Sequence, residues 1–149
     1  MNAASLVLAF FIGMLLPLQA LINASLGKQT TGALFASLAS FVVGGVVLCA
    51  WWLASKPSFD TAALARVPWW AWTGGLIGAV YVAAATMLIP RMGAAALICL
   101  VVFGQVAGSL LLDHFGVLHA RQPIDGLRMF GALLVIAGAL LVVRPWQQA

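Results

Sequence analysis

Long apolar stretches are the feature that most limits what this chain can fold into. Five of them recur along the 149 residues, and the first four have the roughly 20 residues that a helix needs to cross the roughly 30 Å hydrocarbon core of a bilayer. The fifth is short, but snorkelling Arg128 and Arg144 can extend it at both ends. They cover about Ala3–Asn23, Ala33–Ala54, Trp69–Ile89, Gly93–Leu112 and Met129–Val143. The sequence therefore predicts an all-α integral membrane protein, in which residues 1–149 form a single domain of five transmembrane helices.

Composition excludes the main alternatives to a membrane location. Apolar residues make up 64% of the chain and charged residues 7%, whereas a soluble domain is roughly half apolar and a quarter charged. The seven Lys and Arg are scattered, so the net charge of +4 does not indicate nucleic-acid binding. Because no paired carboxylates, Ser-His-Asp set or metal-ligand spacing falls in accessible positions, we expect no enzyme activity, metal or cofactor.

The ends of the spans carry the expected interfacial residues. The N-terminal stretch has the apolarity of a signal peptide but lacks its basic start, so we expect a retained first helix. Tryptophan anchors in the membrane interface, and six tryptophans lie at or near span ends: Trp51, Trp52, Trp69, Trp70, Trp72 and Trp146. Trp69 or Trp72, beside Pro68, has a second interpretation as part of a pore mouth.

Polar residues within the first span mark a candidate site. Gln19 and Asn23 are four residues apart and therefore share one face of the helix. Pro17 removes a backbone hydrogen bond in the same region, which predicts a helix break. Tyr81 in the third span is a further candidate for solute binding; other polar groups in the second and third spans are Ser37, Ser40 and Thr86.

The fourth span has a matching polar stripe, in which Gln105, Ser109 and Asp113 follow one another at intervals of four residues. Intramembrane polar side chains usually face the protein interior or a water-filled cavity. Two interpretations follow: the amides hydrogen-bond between helices as structural links, or they line a translocation path. In the second, Gln19, Asn23, Gln105 and Ser109 approach a common cavity near the midplane.

Five spans place the two termini on opposite sides of the membrane, and the basic residues then divide almost evenly. Four of them, Lys56, Arg66, Arg121 and Arg128, lie on the side of the N-terminus, and Lys28, Arg91 and Arg144 lie on the other. Orientation follows the excess of Lys and Arg in short loops. One interpretation is a single orientation with the N-terminus in the cytoplasm. The other is insertion in both orientations, with antiparallel homodimers that reproduce the inverted repeats of secondary transporters.

Four segments resemble the YdcZ-like family of bacterial inner-membrane proteins, in the drug/metabolite transporter superfamily: "PLQALINASLG", "PWWAWTGGLIGAVYV", "PRMGAAALICLVVFGQVAGSLLLDHFG" and "RMFGALLVIAGALLVVRP". The resemblance covers nearly the whole chain. It implies a half-sized, five-helix transporter unit that assembles as antiparallel dimers in the inner membrane, and it supplies no substrate. The motif positions, for which it implies no specific role, include Gln19, Asn23, Gln105, Ser109, Asp113 and His114.

One departure from a related group limits the mechanism. Small multidrug resistance exporters, distant relatives of this family, exchange protons for cations through a glutamate in the first helix, and this chain has no Glu. Asp113 and His114 remain as candidates for coupling or gating at a membrane boundary; the alternative is that "DHFG" ends the helix at Gly116. The leading prediction is a transporter of a small polar, neutral or zwitterionic solute, and the alternative is a non-transporting membrane subunit that packs against a partner.

Overall fold

The chain folds into helices throughout the part that the computed structural model describes, residues 2–56, 58, 60–118 and 120–143. Five segments within these ranges are long and apolar enough to cross a membrane, and no strand occurs there. The five-span, all-α prediction is therefore confirmed. The helices are α1 (Ala3–Gln29), α2 (Ala33–Ala54), the short α3 (Thr61–Leu64), α4 (Gly74–Met92, preceded by a 3-10 turn, Trp69–Thr73), α5 (Ala94–Phe115) and α6 (Gly126–Val143).

Several helix ends differ from the predicted spans, and α5 continues beyond Leu112 to Phe115. Helix α1 continues beyond Asn23 to Gln29, and α4 continues through Pro90 to Met92. Apolar windows end where polar residues begin, but backbone hydrogen bonding carries a helix on into the interface. Helix α6 begins earlier than predicted because Asp125 caps it, its carboxylate accepting the Arg128 N–H at 2.8 Å. Residues 144–149, including the predicted interfacial anchor Trp146, lie outside the described residues.

Pro17 does not interrupt α1, which is one continuous helix from Ala3 to Gln29. The predicted break is therefore at most a local loss of one backbone hydrogen bond, since proline has no N–H to donate to the carbonyl of Gly13. The full length of α1 has a further consequence. Its middle residue is Leu16, so Gln19 lies less than one turn from mid-helix.

Two compact units make up the chain, Met1–Arg91 and Met92–Ala149. In the first, α1 packs along α2, and α4 contacts both; its buried apolar residues are Ala20, Ala24, Ala36, Ala85 and Ile89. In the second, α5 packs along α6, and the buried apolar residues are Ala96, Leu97, Ala132 and Ala139. Alanine dominates both sets because helices in lipid associate through close backbone approach, which small side chains permit.

Large apolar side chains face outward on every span. Between 6% and 17% of the most apolar window of each span is buried, and Phe10 on α1 is 66% exposed. In water, an apolar surface of this extent would aggregate. In a bilayer the same side chains contact lipid or another membrane protein.

The turn between α1 and α2 depends on two glycines. Gly32 adopts a positive φ of 115°, which side-chain-bearing residues rarely adopt. A Cβ added at Gly27 would lie 3.3 Å from backbone atoms of Gly32 and Ala33. The last turn of α1 therefore packs directly against the beginning of α2.

Candidate solute-binding site

Among its described residues, the first unit buries three polar side chains, each from a different helix. Asn23 on α1 is 4% exposed, Ser37 on α2 is 5% exposed and Thr86 on α4 is 2% exposed. The hydroxyls of Ser37 and Thr86 lie 3.4 Å apart. Each also donates to a carbonyl of its own helix at 2.8 Å, so both hydroxyls are satisfied without a ligand.

The amide of Asn23 is not satisfied in this way. Its Nδ2 is buried and has no hydrogen-bond partner among the described residues. It lines a small cavity between α1 and α4 together with Gln19, Tyr81 and Thr86. The space open to the centre of a water molecule is about 10 Å³, which is close to the smallest volume that holds one water. The cavity therefore has room for a single water and not for a solute.

Gln19 connects this small cavity to two larger grooves. Its Nε2 donates to the hydroxyl of Ser40 on α2 at 3.5 Å, a long contact, and its side chain is exposed. A groove of about 240 Å³ is lined by Gln19, Ser40, Val82 and residues of α2. Another, of about 420 Å³, lies between α1 and α2 and is lined by Gln19, Asn23, Ser40 and apolar side chains. Gln19 thus borders the small cavity and both of these grooves.

The first-unit candidates predicted from sequence, Gln19, Asn23 and Tyr81, therefore come together at one cavity. Their role in solute binding stays a prediction. Sequence reasoning overlooked Lys28 and Arg91, which line a separate cavity in the same unit. A signal was present in the sequence, since no acidic residue accompanies them in the connections on their side of the membrane.

The second unit carries the remaining candidates on α5. Gln105 and Ser109 are both exposed, and the Ser109 hydroxyl donates to the carbonyl of Val106 at 3.0 Å. Their spacing keeps them on one face of the helix, as predicted. A cavity shared with Gln19 and Asn23 stays a prediction.

The "DHFG" segment ends α5, which confirms the helix-termination interpretation. Gly116 has a left-handed conformation with φ 67°. Its N–H donates to the carbonyl of Asp113 at 3.2 Å, and the N–H of Val117 donates to that of Leu112 at 3.0 Å. These two bonds are the Schellman arrangement that closes a helix C-terminus.

Asp113 and His114 also organise the connection to α6. Asp113 forms an ion pair with Arg128 at 3.6 Å. The His114 carbonyl accepts a hydrogen bond from Arg121 Nε at 2.8 Å, and its Nδ1 accepts one from the Ile124 N–H at 3.3 Å. A coupling or gating role for these two residues stays a prediction.

The chemistry of the Asn23 cavity suits hydrogen bonding to a neutral group. Its polar lining consists of two amides, a hydroxyl and a phenol, from Gln19, Asn23, Thr86 and Tyr81. In the part of the chain that the structure describes, no three His, Cys, Asp or Glu side chains come together as metal ligands. Cys49 and Cys99 are free thiols.

Known proteins match this chain over almost its whole length. A family model described as "Putative inner membrane exporter, YdcZ" matches residues 4–141. "Inner membrane protein YdcZ" of Escherichia coli (strain K12) is 32% identical over 146 residues, which are 94% of this chain and 96% of the relative. No solved structure matches the chain.

Proposed function

The chain belongs to the YdcZ family and is a multi-pass inner-membrane protein, and from this premise we propose that it is a small transporter. Its substrate is a small polar solute, neutral or zwitterionic. The solute crosses through a cavity at the interface of an antiparallel homodimer. The family is described as an inner-membrane exporter, so export is the direction to test first.

The unpartnered amide of Asn23 carries this proposal. A buried N–H without a partner destabilises a protein, and within a membrane span the lipid offers no alternative partner. Polar groups in such positions usually mark a substrate or ion pathway. A solute that accepts a hydrogen bond from Asn23 Nδ2 would satisfy this group during part of the transport cycle.

The neutral lining supports the substrate class. Amide, hydroxyl and phenol groups supply donors and acceptors without a fixed charge. An isolated cation or anion in this cavity would lose its hydration without gaining a counter-charge, at a high cost in free energy. A neutral solute avoids that cost, and in a zwitterion the two opposite charges offset part of it.

The open grooves support the homodimer. Gln19 is exposed where two of them meet, and lipid cannot accept hydrogen bonds from its amide. A second copy in the opposite orientation would cover the grooves and bring a second Gln19 to the interface. Within the α5–α6 unit, a Cβ added at Gly131 or Gly138 would meet no atom within 4 Å, so this glycine face of α6 is also open to a partner. The nearly even division of Lys and Arg permits both orientations.

Cysteine accessibility in intact cells tests the proposal without knowledge of the substrate. In a variant with Cys49→Ala and Cys99→Ala, single cysteines would replace Gln19, Asn23, Gln105 or Ser109, and a membrane-impermeant thiol reagent would be added. We expect all four to react, because they line a water-filled path. Phe10, an apolar outward-facing residue of α1, provides the matched control and should stay unreactive when replaced by cysteine.

Export itself is measured by comparing small polar solutes in the medium of cells that express the native protein or the Gln19→Leu variant. We expect at least one solute to accumulate outside only with the native protein. If the four cysteines are as inert as the Phe10 control, the polar residues are structural links between helices. The protein would then be a packing subunit.

A further inference from the structure

Two basic residues face one cavity of the first unit. This cavity lies at the end of the unit where the turn connects α1 to α2. Lys28, in the last turn of α1, and Arg91, in the last turn of α4, both line a space of about 270 Å³. Both side chains are exposed, and neither forms an ion pair or hydrogen bond with a described residue. We name this space the Lys28–Arg91 pocket. Its other lining residues are Ala24, Gly27, Ala33, Thr86, Met87 and Pro90.

No acidic side chain neutralises this pocket. The chain has three Asp and no Glu. Asp60 caps α3, Asp113 pairs with Arg128, and Asp125 caps α6. None of the three lines the pocket, so its two cations lack a counter-charge.

The start of α2 adds backbone donors at the same place. Gly32 precedes α2 without a side-chain capping bond, and the first turn of the helix contains no acidic residue. The first N–H groups of a helix have no intrahelical acceptor, and the helix dipole is positive there. Ala33 lines the pocket, and the close approach at Gly27 holds this helix start against α1.

We propose that the Lys28–Arg91 pocket binds an oxyanion, a carboxylate or phosphate group. Lysine and arginine are the side chains that pair with such groups, and arginine does so through two parallel hydrogen bonds. The oxyanion comes either from a solute, as the charged group of a zwitterion, or from the headgroup of an anionic lipid.

Thr86 lines both this pocket and the Asn23 cavity. A zwitterionic solute held by its carboxylate would therefore lie beside a residue that also lines the Asn23 cavity. This assignment to a solute rests on the proposed transport function, whereas oxyanion binding does not depend on it.

Thiol-labelling rates on purified protein in phosphatidylcholine nanodiscs test the pocket. Met87, which lines the pocket, is replaced by cysteine in the Cys49→Ala and Cys99→Ala background. The labelling rates of an anionic and a cationic methanethiosulfonate reagent are then compared. We expect Lys28→Gln with Arg91→Gln to lower the ratio of anionic to cationic rates about tenfold, because two positive charges that line the same pocket attract one reagent and repel the other.

Two control variants separate electrostatics from folding. Arg66→Gln removes one positive charge outside the pocket, where Arg66 donates to the carbonyl of Ala62, and should leave the ratio unchanged. Lys28→Arg with Arg91→Lys keeps both charges and should retain the native ratio. An unreactive Met87→Cys thiol, or a ratio that the double glutamine variant does not change, would overturn the proposal.

Protection of the Met87→Cys thiol identifies the source of the oxyanion. Slower labelling with sodium phosphate or sodium acetate in phosphatidylcholine nanodiscs supports a site for soluble anions. Slower labelling only when phosphatidylglycerol replaces part of the lipid supports a headgroup site. Absence of protection in both arms contradicts oxyanion binding. Because no transport is measured, this failure is distinct from inert cysteines at Gln19 and Asn23, which would contradict the proposed function.

Discussion

Replacing Asn23 with alanine should make the protein more stable and at the same time abolish its transport. The side chain is 4% exposed, and its Nδ2 has no partner in the described residues. A buried donor without a partner costs about 1–3 kcal/mol of stability. Asn23→Ala removes that donor, whereas a typical truncation of a buried side chain destabilises a protein.

The size of the adjoining cavity limits how far water offsets this cost. Its volume of about 10 Å³ admits at most one water. One water satisfies one of the two N–H groups of the amide, so part of the cost remains. Alanine also loses packing contacts of the amide group, on the scale of about 0.8 kcal/mol for a buried methylene-sized group. We therefore expect a net gain of about 1 kcal/mol, or roughly 2–4 °C in Tm for a chain of this length.

Thr86→Val provides the matched control, because Thr86 is equally buried but hydrogen-bonded. Its hydroxyl donates to the carbonyl of Val82 at 2.8 Å and lies 3.4 Å from that of Ser37. Valine has nearly the same shape but loses these contacts, so its Tm should fall by an amount that corresponds to about 1 kcal/mol. Thermal unfolding of the two purified variants in the same detergent measures whether the Tm of each one rises or falls. If Asn23→Ala lowers the Tm as Thr86→Val does, the amide has a structural partner and the reasoning fails.

Three further changes test other parts of the structure. Gln19→Leu should abolish export without reducing membrane insertion, because interhelical hydrogen bonds contribute little to assembly in lipid; Cys49→Ala, the control in an export assay, should behave as the native protein. Reporters fused to the C-terminus should be active on both sides of the membrane, and a single fixed location in the native protein would contradict dual topology. Two lysines added to "GKQTTG" should fix one orientation and impair function until an oppositely fixed copy is supplied. Gly27→Ala should lower the free energy of unfolding by about 1 kcal/mol or more, since its methyl would press on the backbone of the α1–α2 turn. Gly13→Ala, the control, should not lower it, because no atom lies within 4 Å of the added methyl.

The spans could be predicted from sequence because apolarity is a property of each residue, and the thickness of the bilayer sets how many apolar residues a span needs. The ends of α1 and α4 could not, because backbone hydrogen bonds continue past the apolar window, through Pro90 in α4. The polar residues were visible in the sequence, but which of them would be buried was not. Ser37 and Thr86 are 49 residues apart in the chain and meet only when α2 packs on α4. For the same reason the shared pocket of Lys28 and Arg91 was missed.

Gln19 and Asn23 share a helix face, yet they differ in a way that suggests how a solute reaches the site. Asn23 is enclosed beside a space for one water, whereas Gln19, one turn away, borders that space and both open grooves. A solute that binds Asn23 must therefore pass Gln19 or displace it, and the long 3.5 Å contact to Ser40 is a weak restraint on that movement. Pro17 lies two residues before Gln19 and removes a backbone hydrogen bond there, which lowers the resistance of the helix to bending. These features make α1 the helix whose movement we expect to open the Asn23 cavity.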